Sequence, residues 1–222
     1  MRTYHSTFAL ALAATLILGA SRAASAQESA VIRGDVSAAI GWLAAGQGSN
    51  NPYGGRDWAH SLFGGASAGW HWTDNIKTEI DFGGGTEAHA YSTQQVTIAG
   101  RPSYVTTQSR FARRTVGLSL QYQFFHNAWF HPHLAAGANL TWERRTDEIA
   151  PIVYYDDVSR TSRLLENERI EGPQTTLTGR PFVAAGFKAY MTPRTFFRSD
   201  LRVAFHGRVD ETLLRFGFGF DF

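Results

Sequence analysis

Charged side chains recur at every second position in this chain, as Lys77, Glu79 and Asp81 and again as Arg198, Asp200 and Arg202. A spacing of two puts each run on one face of a β-strand. Arg113, Glu143, Arg180, Lys188, Arg215 and Asp221 fall on the same kind of face in their own segments, so that seven bases stand against five acids. Enclosed charges are costly unless they are paired and hydrogen-bonded, so the expected chemistry is a ladder of ion pairs filling an interior. The alternative is a narrow passage in which surplus arginine favours small anions.

Other reactive patterns are thin. His131 and His133 share a strand face, but no cysteine and no third ligand in the same segment completes a metal site. His60-Ser61 is an adjacent pair and points to opposite faces, whereas a serine and its base on one strand must be two residues apart. Ser119 could approach His133 across neighbouring strands, yet an inward serine is badly placed for a lipid substrate. Neither a catalytic residue, a metal nor a cofactor is expected. The absence of cysteine also leaves no disulfide framework, so stability must come from the strand ladder.

Eight segments of roughly ten residues or more, the length a tilted membrane strand needs, carry these charges. They are Gly34 to Ala44, Trp58 to Thr73, Asn75 to Gly85, Gln108 to Phe124, Trp129 to Glu143, Thr176 to Tyr190, Thr195 to Gly207 and the C-terminal strand. Each sets apolar residues opposite its polar row: Val36, Ala38, Ile40 and Trp42 against Asp35 and Ser37, or Ile76, Ile80 and Phe82 against Lys77, Glu79 and Asp81. Strict alternation is the signature of a sheet whose two faces see different surroundings. Arg114 breaks the apolar row of its segment and is placed above the membrane. Pro132 belongs at the start of a strand, where a missing N–H is tolerated.

Short turns at Thr73-Asp74-Asn75, Phe125 to Ala128 and Met191 to Arg194 alternate with longer links at Ala45 to Asp57, Thr86 to Thr107 and Arg144 to Thr175, and a brief one at Arg208 to Glu211. Short turns belong on the periplasmic side and long loops outside the cell. With that orientation Trp42, Trp58 and Trp142 reach the outer level and Trp70, Trp72 and Trp129 the inner one, two aromatic girdles that a membrane barrel requires. The longest link, with Tyr154 and Tyr155 as contact candidates, is the expected place for an extracellular ligand of unidentified chemistry.

The two ends of the chain give the same address. Arg2 precedes an apolar run from Phe8 to Ala20 that closes on Ala24-Ser25-Ala26, a secretory signal peptide over residues 1–26, with the barrel domain over 27–222. Arg2 and Arg22 leave with it, which brings the 21 basic residues level with the 19 acidic and removes any case for nucleic-acid binding. At the far end Leu214, Phe216, Phe218, Phe220 and Phe222 alternate with Arg215, Gly217, Gly219 and Asp221. An outer face so apolar would invite aggregation in water. A lipocalin-like soluble barrel would turn these residues inward. Tryptophans at strand ends, small mid-strand residues such as Gly64, Ala66 and Ala68, and the terminal phenylalanine favour the membrane form.

On these residues the chain resembles the small eight-stranded outer-membrane barrels of Gram-negative bacteria, the OmpA-barrel, OmpX and opacity-protein-like group often called porin-family proteins. The resemblance implies an all-β fold, an eight-stranded antiparallel transmembrane up-and-down β-barrel. It also implies that Phe218, Phe220 and Phe222 form the C-terminal signal read by the barrel-assembly machinery, and that outer-membrane lipids and lipopolysaccharide surround the wall. With nothing after Phe222, a peptidoglycan-binding domain is not expected. The expected role is non-enzymatic, structural or surface-interacting. A narrow passive channel is the alternative, and a lipid A-modifying enzyme a remote one.

Overall fold

The computed structural model describes residues 33–46, 58–98, 101–125, 129–156 and 160–222. The expected signal segment, most of the first long link and residues 126–128 lie outside them. Among the described residues eleven strands run in chain order: β1 Gly34–Gly46, β2 Trp58–His71, β3 Ile76–Gly85, β4 Ala88–Ile98, β5 Arg101–Gln123, β6 Phe130–Ile149, β7 Ile152–Asp156, β8 Thr161–Glu166, β9 Arg169–Tyr190, β10 Thr195–Phe205 and β11 Val209–Asp221. Eight of them, β1-β2-β3-β5-β6-β9-β10-β11, form an antiparallel ring that closes where β1 pairs with β11 from Asp35↔Asp221 to Ala45↔Glu211. Gly34 and Phe222 seal the seam through reciprocal backbone bonds of 2.9 and 3.0 Å.

At one end the strands are joined tightly. Thr73 Oγ1 accepts from the amides of Asn75 and Ile76 at 3.3 and 3.0 Å, and Thr192 Oγ1 accepts from those of Arg194 and Thr195 at 3.4 and 3.0 Å. Each threonine satisfies amides that the turn frees from the ladder. Pro132 sits near the start of β6, and its carbonyl accepts from Phe124 N at 2.8 Å. At the opposite end Gly207, at φ +73, supplies the left-handed residue of the short link between β10 and β11.

The other end corrects several expected boundaries. The presumed loop from Thr86 to Thr107 is largely ladder: β4 continues the line of β3 and pairs with β5 from Ala88↔Phe111 to Ile98↔Arg101. Likewise β6 and β9 run on to Ile149 and Arg169, through a register shift between Arg145 and Asp147, so the ends expected at Glu143 and Thr176 fall short. Between them β7 and β8 form a separate hairpin containing Tyr154 and Tyr155. Beyond an apolar layer both faces of a strand meet water, and the alternation that marks a spanning strand disappears. β11 also starts earlier than expected, at Val209, so Asp210 and Glu211 belong to a strand rather than a loop.

The exterior of the ring is apolar. Ile40, Leu62, Ile80, Phe82, Leu118, Leu120, Leu134, Leu140, Val183, Leu201, Phe216 and Phe218 are all exposed. Near the tight-turn end an aromatic band passes from Trp129 through Phe130, Phe187 and Phe197 to Phe218, with successive ring centroids 5.2–6.1 Å apart. A continuous apolar surface of this kind on a closed sheet calls for hydrocarbon, not water.

Candidate functional site

The interior is built by the second residue of every apolar-polar pair. Around the tight-turn end Asp35 of β1 gathers Lys77 Nζ at 3.0 Å, His71 Nε2 at 3.1 Å and Lys188 Nζ. Asp35, Lys77 and Lys188 have fully buried side chains. Lys188 lies 4.1 Å above the ring of the buried Phe196, and Tyr190 donates its hydroxyl to Asp221. Lys77 also reaches Glu79 Oε2 at 2.6 Å, so each cation here serves more than one carboxylate.

Higher up, arginines cross the ring. β3 and β10 stand opposite each other in the circle of eight, and two ion pairs join them. Arg198 Nη1 contacts Glu79 Oε1 and Oε2 at 2.9 and 2.8 Å, while Arg202 grips Asp81 through two bonds of 3.0 Å. Arg202 stacks on Phe182 at 3.9 Å, and Arg215 Nε donates to Asp200 Oδ1 at 2.8 Å. A third crossing joins β5 to the opposite β11: Arg113 Nη1 meets Glu211 Oε2 at 3.2 Å while its Nε holds Glu143 at 2.6 Å. Arg180 Nε donates to Asp210 at 2.6 Å. Charge-assisted, forked bonds of this type fix side chains strongly in a medium that offers little alternative solvation.

Buried apolar side chains occupy the interior as well. Leu43, Phe63 and Leu213 form one cluster, and Ala45, Ala59, Ala88 and Phe111 another. The ring therefore encloses apolar side chains as well as ions, and Leu43, Phe63, Phe111 and Leu213 stand on the same inward rows as the charges.

On the far side of these clusters the wall is uneven. Among the described residues β1, β2, β10 and β11 reach Gly46, Trp58, Phe205 and Val209, whereas β4, β5, β6 and β9 rise further as a four-stranded sheet. Tyr91, Tyr104 and Ile170 are exposed on it.

No protein-family model matches the chain, and no curated protein matches it. Among solved structures, Neisserial surface protein A (NspA) is 16% identical with a TM-score of 0.50, covering 85% of this chain and 97% of that one. Outer membrane protein OprG from Pseudomonas aeruginosa is 12% identical with a TM-score of 0.51, covering 86% and 97%. The N-terminal β-barrel domain of P. aeruginosa OprF is 14% identical with a TM-score of 0.48, covering 86% and 98%. This chain has the fold of the small eight-stranded outer-membrane barrels.

Within this small barrel the structure places Lys77, Glu79, Asp81, Arg113, Arg180, Lys188, Arg198, Asp200, Arg202, Arg215 and Asp221 in the buried interior, with Glu143 half-buried at its edge. Three further acids join them: Asp35, which lay on the polar row of β1 without being counted, and Asp210 and Glu211. Among the described residues the buried bases (Lys77, Arg113, Arg180, Lys188, Arg198, Arg202, Arg215) are matched one for one by buried acids (Asp35, Glu79, Asp81, Asp200, Asp210, Glu211, Asp221). The expected arginine excess is gone. Carrying the two-residue period of the C-terminal strand back from Arg215 through Leu213 would have found Glu211.

Trp42, Trp58, Trp70, Trp72, Trp129 and Trp142 all lie exposed on the outer surface of the barrel. Trp70 sits opposite Gly34 near the tight-turn end, while Trp58 sits opposite Gly46 at the other. Ser119 and His133 are buried but not brought together: Ser119 is opposite Gly137 and His133 opposite Gln123. Four residues of register separate them, about 13 Å along the strands. Among the described residues no group of histidines and carboxylates is arranged to hold a metal.

Proposed function

We propose that this protein is a non-enzymatic integral protein of the outer membrane, exported through a cleaved signal peptide, with a structural and surface-interaction role in the envelope. One relationship carries the reading: a lumen crossed by opposite-wall ion pairs lies beneath a sheet of β4, β5, β6 and β9 that rises past the rim. A blocked interior has little capacity for transport, and a rigid projecting wall presents side chains to whatever lies outside. The raised sheet with the β7-β8 hairpin, including Tyr154 and Tyr155, is the proposed contact region. Phe218, Phe220 and Phe222 are the proposed recognition signal for the assembly machinery, and outer-membrane lipids with lipopolysaccharide are the surroundings of the apolar belt. A lipid A-modifying activity would need a nucleophile and its base on the outer surface, and Ser119 and His133 are both turned inward.

Protease shaving of whole cells, with mass spectrometry of the released peptides, tests this. Peptides from residues 144–175 are expected and peptides containing Thr73 to Asn75 or Met191 to Arg194 are not. Release of the turn peptides from intact cells, or recovery of the protein in the soluble periplasmic fraction, overturns the reading.

A narrow passive channel is the second reading. Gln121 Nε2, His133 Nδ1 and Thr141 Oγ1 are buried in the interior without a hydrogen-bond partner, which favours polar room beside the ion pairs. Single-channel recording of the purified protein in planar bilayers decides it: steady current steps support a passage, and silence excludes one.

A further inference from the structure

Two cations on the outer wall stand apart from the interior economy. Arg114 of β5 is opposite Trp142 of β6, and Arg144 follows Trp142 by two positions, opposite Ala112. Both arginines are exposed on the same outward face as Trp142. That places the guanidinium stems diagonally across one strand pair, with Cβ atoms roughly 7–8 Å apart. Like charges so arranged repel. Neither has an ion-pair partner among the described residues, because the nearby outward acids are engaged elsewhere: Glu148 with Arg110, and Glu87 with His89 at 3.8 Å.

Their setting is amphipathic. Below Arg114 the wall is Val116, Leu118 and Leu120, and below Trp142 it is Leu140 and Ala138. Beside Arg114 the pairing direction leads to Gly84 and then Gly64. The Arg114 stem lies over Gly84, its Cγ 3.6 Å from where a Cβ would stand, and a Cβ at Gly64 would meet nothing within 4 Å. Two cations and a tryptophan therefore stand at the top of an apolar face, with the Arg114 stem lying over Gly84 and an open outward spot at Gly64 beside it.

We infer that Arg114 and Arg144 form a clamp for the phosphate of a phosphorylated, acylated glycolipid of the surrounding leaflet, with an acyl chain against the apolar wall of Val116, Leu118 and Leu140 below and Trp142 at the headgroup boundary. A phosphate bridges two guanidiniums through separate oxygens, which relieves their repulsion and supplies the missing counter-charge. A soluble anion would gain the same charge contacts but nothing from the apolar wall below. The inference rests on the reading of this chain as a membrane barrel and adds to it a ligand class and the residues that select it.

Native mass spectrometry of the full chain, released from detergent after incubation with bis-phosphorylated lipid A, tests the clamp. The wild-type protein is expected to retain the lipid. Arg114→Gln/Arg144→Gln is expected to lose about tenfold or more of that retention, and Arg114→Lys/Arg144→Lys to recover part of it. Arg194→Gln, which alters an exposed arginine of the tight turn between β9 and β10, is the control expected to behave as wild type. Dephosphorylated lipid A is expected to bind weakly, and excess inorganic pyrophosphate to displace the lipid poorly. Equal retention by the Gln double variant, equal binding of the dephosphorylated lipid, or complete displacement by pyrophosphate each overturns the clamp. A wild-type protein that inserts into vesicles but gives one of those results leaves the membrane reading standing, whereas failure to insert removes both.

Discussion

Arg202 on β10 holds Asp81 on the opposite wall through two bonds of 3.0 Å, and Asn139 accepts a third from the same guanidinium at 3.1 Å. The pair is a strut across the ring rather than a decoration on one strand. Removing one partner leaves the other buried and uncompensated, so Asp81→Ala is expected to cost about 3–5 kcal/mol, and Asp81→Leu with Arg202→Met much less than the sum of the single changes. Urea unfolding in lipid vesicles, followed by tryptophan fluorescence, measures both; an additive pair of effects would contradict the strut.

Asp35 makes a second, separate stability prediction. Because it accepts from both Lys77 and Lys188, Asp35→Asn takes one counter-charge from each of two buried ammonium groups at once, leaving Lys77 with Glu79 and Lys188 with Asp221 at 3.6 Å. It is expected to destabilise more than Lys188→Met does, and Lys188→Met in the Asp35→Asn background is expected to restore part of the loss. The same unfolding assay reads the cycle, with a coupling of at least about 1 kcal/mol expected.

Conductance should follow the struts. Arg198→Ala/Arg202→Ala removes both crossings between β3 and β10, and the purified variant is expected to give current steps in planar bilayers where the wild type gives none. The carboxylates of Glu79, Asp81 and Asp200 are left in excess, so that current is expected to prefer cations. Measurement of the reversal potential in a salt gradient checks the sign; an anion preference would mean that other arginines govern the passage.

Glycine positions separate interior from exterior. A Cβ at Gly117 would stand 2.6 Å from Asn139 Oδ1 and collide with Asp81, so Gly117→Val is expected to loosen the Arg202 strut. Gly64 faces outward into open space, and Gly64→Ala is expected to change stability by no more than about 0.5 kcal/mol. Thermal unfolding of the two variants in one detergent ranks them. Equal midpoints would show that the interior yields more readily than its packing implies.

The barrel class was legible because a spanning strand must write its surroundings into alternate residues: Ile76, Ile80 and Phe82 against Lys77, Glu79 and Asp81 admit one geometry, and the terminal Phe218 and Phe222 repeat it. Where the chain leaves the apolar layer that pressure ends, and β4, with the upper parts of β5, β6 and β9, reads as loop although it forms a continuous ladder. Glu211 was missed for a related reason, since it sits where the apolar row of the C-terminal strand has not yet begun.

By itself the sequence determined which residues of each strand share a face, because a period of two is a property of neighbours along the chain, and the strand-end tryptophans with the terminal phenylalanine indicated which face is turned outward. Only the tertiary structure decided who pairs with whom. Arg113 and Glu211 are 98 positions apart and meet because the ring closes. Strand shear and ring order bring them together, and neither is encoded in any one segment. For the same reason the matching, among the described residues, of seven buried bases by seven buried acids became visible only once every inward row faced a common interior.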